Sequence, residues 1–542
     1  MQDSIIDFII PILLYAETHY SFKGIYSRLK KKEPEIIVDV PHRIEPNMSI
    51  PVLLLFKDAH LFPIKLKRVE LVLIHNRRQV YHKRHQIDKL IQTQLEWQII
   101  EINLNQKIFG NVQLDVKFQI EINGKKKNYR NDNYRISSHK PFDIYLSQET
   151  LPKQHGWVFG DLHYHSSFTA DQVEFGAPLE PTALLAKAMG LSFFAATDHS
   201  YDLDDYEDNP LKTDLDLSKW KQLHEEIETL NHRQKTPVII IPGEEVSCGN
   251  TGSRNVHMLL LNNKRFISGK GDSAERWFRT NPDFQIDEIL RQLENDAVAI
   301  AAHPEITPPF LQWLLIRRGK WSLKDYLHER LIGLQVWNSQ DNKYLKKGIE
   351  SWTKLLLMGE RKYIFAGNDA HGNFNRFRQI GFPFWTLREN KNEIFGNART
   401  ALYLENQISS EEIIKTIKKG RAIITNGPFA QISLENENHE RALIGDEISG
   451  ESFKIRMSAI SNHEFGEILS VKLFFGNLVA RQEVVIMEAK QFNSLYSFEK
   501  TISFRPPALP GYFRLEAQSK LEAQSKKEGI KKCYTNPIWI KA

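Results

Sequence analysis

Hydrophobic and polar positions follow three different patterns along the chain. Up to residue 152, short apolar or alternating runs are separated by turn residues, as the strands of an antiparallel sheet are. The runs lie at 36–40, 50–56, 69–75, 96–104, 112–122 and 142–146. Asn123-Gly124, flanked by alternating residues, is a favoured two-residue hairpin turn. This pattern predicts a β-sandwich over residues 1–152.

From residue 153 to 428 the apolar runs alternate with segments of helical spacing. These segments lie at 182–189, 217–231, 286–295 and 345–358, and Ser409-Ser-Glu-Glu412 is typical of a helix capping box. Strand-then-helix alternation is the signature of a parallel sheet. We therefore expect an α/β fold in which residues 153–428 form a (β/α) barrel.

After Pro428 the β pattern returns, with runs at 430–434, 453–459, 471–475, 484–487 and 538–540. It predicts a second β-sandwich over 429–542. Residues 515–526 repeat the hexapeptide Leu-Glu-Ala-Gln-Ser-Lys in tandem. Because exposed loops tolerate insertions that touch no core, we expect this duplication to lie in a loop.

The composition, 41% hydrophobic and 26% charged residues, is that of an ordinary globular protein. A net charge of +5 is small for 542 residues, so a general nucleic-acid binder is not expected. Two cysteines, Cys248 and Cys533, cannot form a disulfide framework, which favours a reducing, cytoplasmic location. The apolar stretch 5–15 contains Asp7 and Pro11 and is too short to span a bilayer. It predicts a packed helix, and no membrane contact is expected.

Seven apolar runs in the central part border a histidine, a carboxylate or an amide. The bordering residues are His163 and His165, His199, Glu245, His257, His303, Asn338, and Asp369 and His371. In parallel α/β barrels, functional groups lie at the carboxyl ends of the strands. A single histidine at a strand end is usually structural, but imidazoles and carboxylates accumulated there are the ligands of zinc, manganese or iron. The pattern predicts a site for several metal ions.

Five motifs carry a family resemblance. Gly160-Asp-Leu-His-Tyr-His-Ser-Ser, Thr197-Asp-His-Ser, Gly243-Glu-Glu-Val-Ser, Ala302-His-Pro and Gly367-Asn-Asp-Ala-His resemble, in order, the motifs of the polymerase and histidinol phosphatase (PHP) family. Gly420-Arg-Ala-Ile-Ile-Thr-Asn-Gly-Pro428 and Thr535-Asn-Pro-Ile-Trp539 are similar to segments of its carbaryl-hydrolase-like branch. The resemblance implies a distorted seven-stranded (β/α) barrel, flanked by the two β-sandwiches, that binds two or three divalent ions.

The resemblance also implies a ligand set for each ion. His163, His165, Glu245 and Asp369 would hold the first ion, and Glu245, His257 and His303 the second. Asp171, His199 and His371 would hold the third. The family places an acid where this chain has Ala170, so either Asp171 or Glu174 completes that site. Glu245 is preferred over Glu244 because it aligns with the Gly-x-Glu pattern.

The expected chemistry is hydrolysis by a metal-activated hydroxide, with His199, Glu245 and His371 as candidate catalytic residues. A phosphate ester is the favoured small-molecule substrate. Arg254, Asn338 and Arg376 are its candidate binding residues, and Asp161 is expected to orient a ligand histidine. A hydrolase of carboxylic or carbamate esters or of amides is the first alternative, and a non-catalytic, metal-stabilised scaffold is the second. A homo-oligomer is compatible with all three.

Overall fold

A computed structural model describes most of the chain. It covers residues 32–104, 107–133, 139–169, 176–207, 209–233, 238–272, 280–339, 343–375, 381–382, 385–386, 393–521 and 529–541. The helix predicted around residues 5–15 lies outside these ranges, as do Asp171, Glu174 and Arg376. No helix in the described part is both long and apolar enough to cross a bilayer.

The first part of the chain forms two sheets. Its strands are β1 (Glu35–Asp39), β2 (Arg43–Ile44), β3 (Ile50–Lys57), β4 (Ile64–His75), β5 (Arg78–Ile91), β6 (Leu95–Ile102), β7 (Gly110–Ile122), β8 (Lys125–Arg130) and β9 (Phe142–Leu146). One sheet has the order β1-β3-β6 and the other β2-β9-β7-β4-β5, with β8 paired to β7. Phe56 of the first sheet and Phe118 of the second belong to one buried core. Asn123 and Gly124 turn between β7 and β8 with positive φ, as the sequence predicts.

The central part carries the predicted strand ends. Its strands are β10 (Trp157–Tyr164), β11 (Phe193–Ala196), β12 (Asp205–Tyr206), β13 (Asn209–Thr213), β14 (Ile239–Gly249), β15 (Asn255–Leu261), β16 (Val298–Ala301), β17 (Leu331–Asn338), β18 (Tyr363–Gly367), β19 (Gly381–Phe382), β20 (Trp385–Thr386), β21 (Arg399–Tyr403) and β22 (Ala422–Thr425). Its helices are α1 (Leu179–Ala188), α2 (Ser200–Leu203), α3 (Ser218–His232), α4 (Ile286–Gln292), α5 (Phe310–Leu315), α6 (Leu323–Tyr326), α7 (Lys343–Leu357) and α8 (Ser410–Lys418), with a 3-10 turn at Ser167–Thr169.

Local signals account for two of these helices. The Ser409 hydroxyl accepts a hydrogen bond from the Glu412 amide at 3.2 Å and caps α8, which the left-handed Gly420 follows. α7 contains Gly348 because it packs closely on β17. A Cβ at that position would lie 2.8 Å from the Cβ of Val336.

The last part of the chain is again made of strands. They are β23 (Phe429–Asn436), β24 (Arg441–Leu443), β25 (Glu447–Ser449), β26 (Phe453–Ile460), β27 (Glu467–Asn477), β28 (Gln482–Ala489), β29 (Ser497–Phe504), β30 (Gly511–Lys520), β31 (Lys531–Thr535) and β32 (Ile538–Lys541). A four-stranded sheet has the order β24-β23-β26-β29. The remaining strands join a 15-stranded sheet that starts in the central part. Its order is β18-β17-β16-β15-β14-β11-β10-β21-β22-β31-β30-β27-β28, with β32 paired to β30 and β25 paired to β32.

The predicted α/β class, with a seven-stranded (β/α) barrel between two sandwiches, is wrong. Of the described residues, 46% are in strands and 16% in helices, so the protein is mainly β. The seven expected strands, β10, β11 and β14 to β18, are antiparallel at β14–β15 and β15–β16, and β14 turns into β15 without a helix. They also continue through β21 and β22 into the C-terminal strands. Short apolar runs do not reveal whether the neighbouring strand is parallel or antiparallel, which explains the error.

The prediction for the tandem hexapeptide is also wrong for its first copy. Residues 515–520 form the second half of β30, paired with β27 on one side and β31 on the other. Leu515, Ala517 and Ser519 are buried there, since they share one face of the strand. Most of the second copy lies outside the described residues.

Candidate metal centre

His163 and His165 stand two residues apart at the end of β10 and therefore project to the same face. Both side chains are fully buried, and their Nε2 atoms lie 3.0 Å apart. His163 Nδ1 lies 2.8 Å from the Gln335 amide oxygen, which can only accept a hydrogen bond. His163 Nδ1 therefore donates to Gln335, which leaves Nε2 as the nitrogen that faces the centre.

The Glu245 carboxylate divides the surrounding imidazoles into two sets. Its Oε2 faces Nε2 of His163 at 3.4 Å, Nε2 of His165 at 3.3 Å and Nδ1 of His199 at 3.1 Å. Its Oε1 faces Nδ1 of His257 at 2.8 Å and Nε2 of His303 at 3.1 Å. One buried carboxylate thus lies between two groups of imidazole nitrogens, an arrangement that could bridge two ions.

The segment after β18 brings Asp369 and His371 to the same place. A bridge between Tyr164 and Ala370 sets this segment beside the end of β10. Asp369 Oδ1 lies 3.1 Å from His165 Nε2, and the His371 ring stacks on His165 with centroids 4.1 Å apart. Asp369 has a φ of +54°, a left-handed conformation that is costly for a residue other than glycine and is typical of functional sites.

Three groups of side chains could each hold a metal ion, because their ligand atoms lie within 4.8 Å of one another. The first group contains the four residues that the resemblance implies for the first ion. The second and third groups differ from the implied sets: His199 stands in place of His303, and His165 stands where Asp171 was expected. The groups are His163, His165, Glu245 and Asp369; His199, Glu245 and His257; and His165, His199 and His371. Their nitrogen and carboxylate donors suit zinc, manganese or iron.

Electrostatics keep the carboxylates of the centre ionised. Burial alone would raise the pKa of Glu245, but the His257 and His163 imidazoles outweigh it and hold that pKa well below its ordinary value. Burial likewise raises the pKa of Asp369, and His163 and His165 hold it well below the ordinary range. Both groups are therefore acceptors and available ligands at neutral pH.

Sequence reasoning missed two residues that contact His257. Asp272 is fully buried and accepts a hydrogen bond from His257 Nε2 at 2.9 Å. Its carboxylate also binds the Ser247 hydroxyl and the Arg318 guanidinium. A second guanidinium nitrogen of Arg318 lies 3.2 Å from His257 Nδ1. Neither residue borders an apolar run, so no strand-end signal marked them.

Gln335 and Glu393 were missed as well. Gln335 carried a signal, because it is a lone amide inside the buried apolar run of β17. Glu393 carried none. Burial and the neighbouring Asp369 raise its pKa to about 8, which places a protonated carboxyl near the centre at neutral pH.

The other predicted residues have different surroundings. Asn338 donates to Asp369 Oδ2 at 3.4 Å. Asp161 accepts from the backbone amides of His163 and Asn368, both at 3.1 Å, so it holds the backbone of the site rather than an imidazole. Arg254 lies 4.1 Å above the ring of Trp313 and donates to the backbone oxygen of that residue.

Glu244 and Glu245 project to opposite faces of β14. Glu244 is buried away from the imidazoles, and burial raises its pKa well above the ordinary value. The neighbour preferred from the sequence, Glu245, is therefore the carboxylate that faces the imidazoles.

Comparison with known proteins adds little. No protein-family model matches the chain, and no curated protein is significantly similar to it. Alignments with solved structures cover 94% of this chain and 64% of a Parabacteroides merdae β-glucuronidase (TM-score 0.19, 8% identity). They cover 95% of this chain and 50% of a β-glucuronidase from glycoside hydrolase family 2 (TM-score 0.20, 12% identity). The chain thus spans less than two thirds of either structure. At such TM-scores the likeness supports no argument about fold or activity, and the resemblance to the PHP family stays a prediction.

Proposed function

We propose that the chain is a metal-dependent hydrolase of phosphate esters that acts at the centre around Glu245. The observation that carries the proposal is the division of the imidazoles between the two oxygens of this buried carboxylate. A purely structural carboxylate needs one or two partners, whereas five imidazoles around one carboxylate form a ligand set. Two divalent ions held there would supply an activated water and a Lewis acid.

The side chains of the centre have separable tasks. Gln335 and Asp272 fix the orientations of His163 and His257, as partners of ligand histidines commonly do. Burial and the neighbouring His165 hold the pKa of His371 well below its ordinary value, so this ring is neutral and its lone pair is available to an ion. His199, which also faces His165, is the candidate for proton transfer.

Arg318 favours a phosphate over a neutral ester. Its guanidinium contacts His257, and its side chain is 20% exposed. Asp272 balances the charge of this guanidinium in the free protein, and the exposed part of the Arg318 side chain would lie beside an anionic substrate bound at the centre. Guanidinium groups also match the oxygen geometry of phosphates. In this proposal Arg318 takes the place that the sequence analysis gave to Arg254, while Arg376 lies outside the described residues.

The test combines metal content with substrate preference. Elemental analysis of the purified protein should find two or three Zn, Mn or Fe ions per chain, and mono-aryl or bis-aryl phosphates should be hydrolysed faster than aryl carboxylic esters. His163→Ala and Asp369→Ala should abolish turnover. His232→Ala, on an 81% exposed side chain of α3, should leave turnover unchanged.

Arg318→Met tests the choice of substrate separately. It should raise KM for an aryl phosphate without changing the metal content, whereas Arg254→Met should have no effect on either. Full metal loading with turnover of carboxylic esters only would favour the alternative hydrolase. Absence of bound metal, or turnover indifferent to His163→Ala, would refute the proposed centre.

A further inference from the structure

The helix α5, Phe-Leu-Gln-Trp-Leu-Leu in sequence, is apolar nearly all round. A helix of this kind is normally buried. Here four large side chains of α5 are instead exposed: Phe310 by 63%, Trp313 by 41%, Leu314 by 53% and Leu315 by 48%. We name these four residues the apolar patch. A contiguous apolar surface of this kind marks a contact with another molecule.

The patch is flanked by basic groups. Arg254 lies against Trp313, Arg317 follows α5 by two residues, and Lys324 is exposed at the next helix, α6. In the described part of the chain, none of these three cations is within salt-bridge distance of a carboxylate. The nearby Lys320 does pair with Glu305, at 2.6 Å. The apolar patch therefore lies in a locally positive surface.

We propose that the apolar patch binds an anionic lipid surface. Leucine and aromatic side chains with basic neighbours are the combination that inserts into the interface of a bilayer, and each basic residue adds attraction to anionic headgroups. A partner protein is a poorer fit. Six residues, roughly 9 Å of helix, are too short to present the i, i+3, i+4, i+7 anchors of a helix bound in a groove.

The position of the patch gives the contact a consequence for the candidate centre. The segment that carries α5 starts just after His303, and Arg318 follows α5 by three residues and reaches His257. The patch and the centre are thus connected by one short stretch of chain. A lipid surface on α5 would lie beside the centre, although binding does not depend on the proposed hydrolysis.

Co-sedimentation with vesicles tests the proposal on the full chain. The probes are vesicles of phosphatidylcholine alone and vesicles in which a quarter of the lipid is phosphatidylserine. We expect binding to the anionic vesicles that weakens in high salt and is much weaker with phosphatidylcholine alone. Leu314→Ser with Leu315→Ser should lower the bound fraction about tenfold, since both side chains are exposed and their burial in lipid is lost. Lys324→Glu should lower it several-fold.

The control is Val479→Ser, which changes a still more exposed apolar residue (68%) on the turn between β27 and β28 and should bind like the wild type. Circular dichroism should show that each variant is folded. Absence of binding to either kind of vesicle would overturn the proposal. So would a chain that self-associates through the patch, seen as a dimer that Leu314→Ser with Leu315→Ser converts to a monomer while vesicle binding is unaffected.

Discussion

Replacing Glu245 by glutamine is the most informative perturbation of the centre. The amide has nearly the same shape as the carboxylate but retains only one oxygen acceptor and no charge. It can therefore serve the imidazoles on one side only, His257 and His303 or the three that face Oε2. We expect Glu245→Gln to bind at most one ion tightly and to lose turnover by more than about 100-fold, because even partners of metal ligands contribute about 10–100-fold.

The same change has a calculable effect on stability. In a chelator, Glu245→Gln removes a buried charge from its imidazole partners, which should lower the free energy of unfolding by about 3 kcal/mol. With free metal at about 100 times its Kd, each ion that the wild type binds adds about 2.7 kcal/mol. Loss of one ion should therefore roughly double the difference between the two proteins. Urea unfolding, with and without chelator, measures both values.

The adjacent residue provides a matched control. Glu244 is equally buried, but burial raises its pKa well above the ordinary value and so favours the neutral carboxyl, which an amide resembles in shape and charge. We expect it to keep its ions and its turnover. If Glu245→Gln also bound a full set of ions, or unfolded at the same urea concentration as Glu244→Gln, the bridging role would be refuted.

Three further changes test other parts of the structure. Gln335→Leu removes the acceptor that orients His163 and should lower metal affinity about tenfold, measured by competition with a chromogenic chelator; unchanged affinity would contradict the orienting role. Deletion of 521–526 leaves one hexapeptide to form β30, so the thermal midpoint should stay within a few degrees of the wild type, whereas a cooperative loss of structure would show that both copies are needed. Burial raises the pKa of Asp204 from 3.8 to about 6, so the folded protein binds the extra proton and its free energy of unfolding should fall, by at most about 3 kcal/mol, as pH rises through that window. Urea unfolding at several pH values should show this slope in the wild type and a flatter one in Asp204→Asn.

The side chains of the centre could be picked out from the sequence because each follows or begins a short apolar run. That signal located His163, His199 and Asp369, which the structure brings together. It could not locate Asp272 and Arg318, which reach His257 from segments without a periodic pattern. Contacts of this kind depend on the path of loops, which is set by tertiary packing.

The sequence predicted the fold less well than the residues of the centre. Strands and helices were placed well where a turn or a cap fixed them, as at Asn123-Gly124 and Ser409. Strand direction was not predicted correctly. β14, β15 and β16 pair in antiparallel fashion, but apolar runs that are buried on both faces look the same in parallel and antiparallel sheets. The repeated hexapeptide was taken for a loop, although Leu515, Ala517 and Ser519 alternate as a strand requires.

The 15-stranded sheet has a consequence for how the protein unfolds. Hydrogen bonds run without interruption from β10, which ends at His163 and Tyr164, through β21 and β22 to β31 and β30 near the C-terminus. Cutting the chain at residue 428 would leave β22 without its partner β31. The unpaired edge of β22 would then lie beside β21 and β10, the strands that support the centre. Local opening of the last strands should therefore disturb the positions of the imidazoles. In turn, bound ions should slow amide hydrogen exchange as far away as β31.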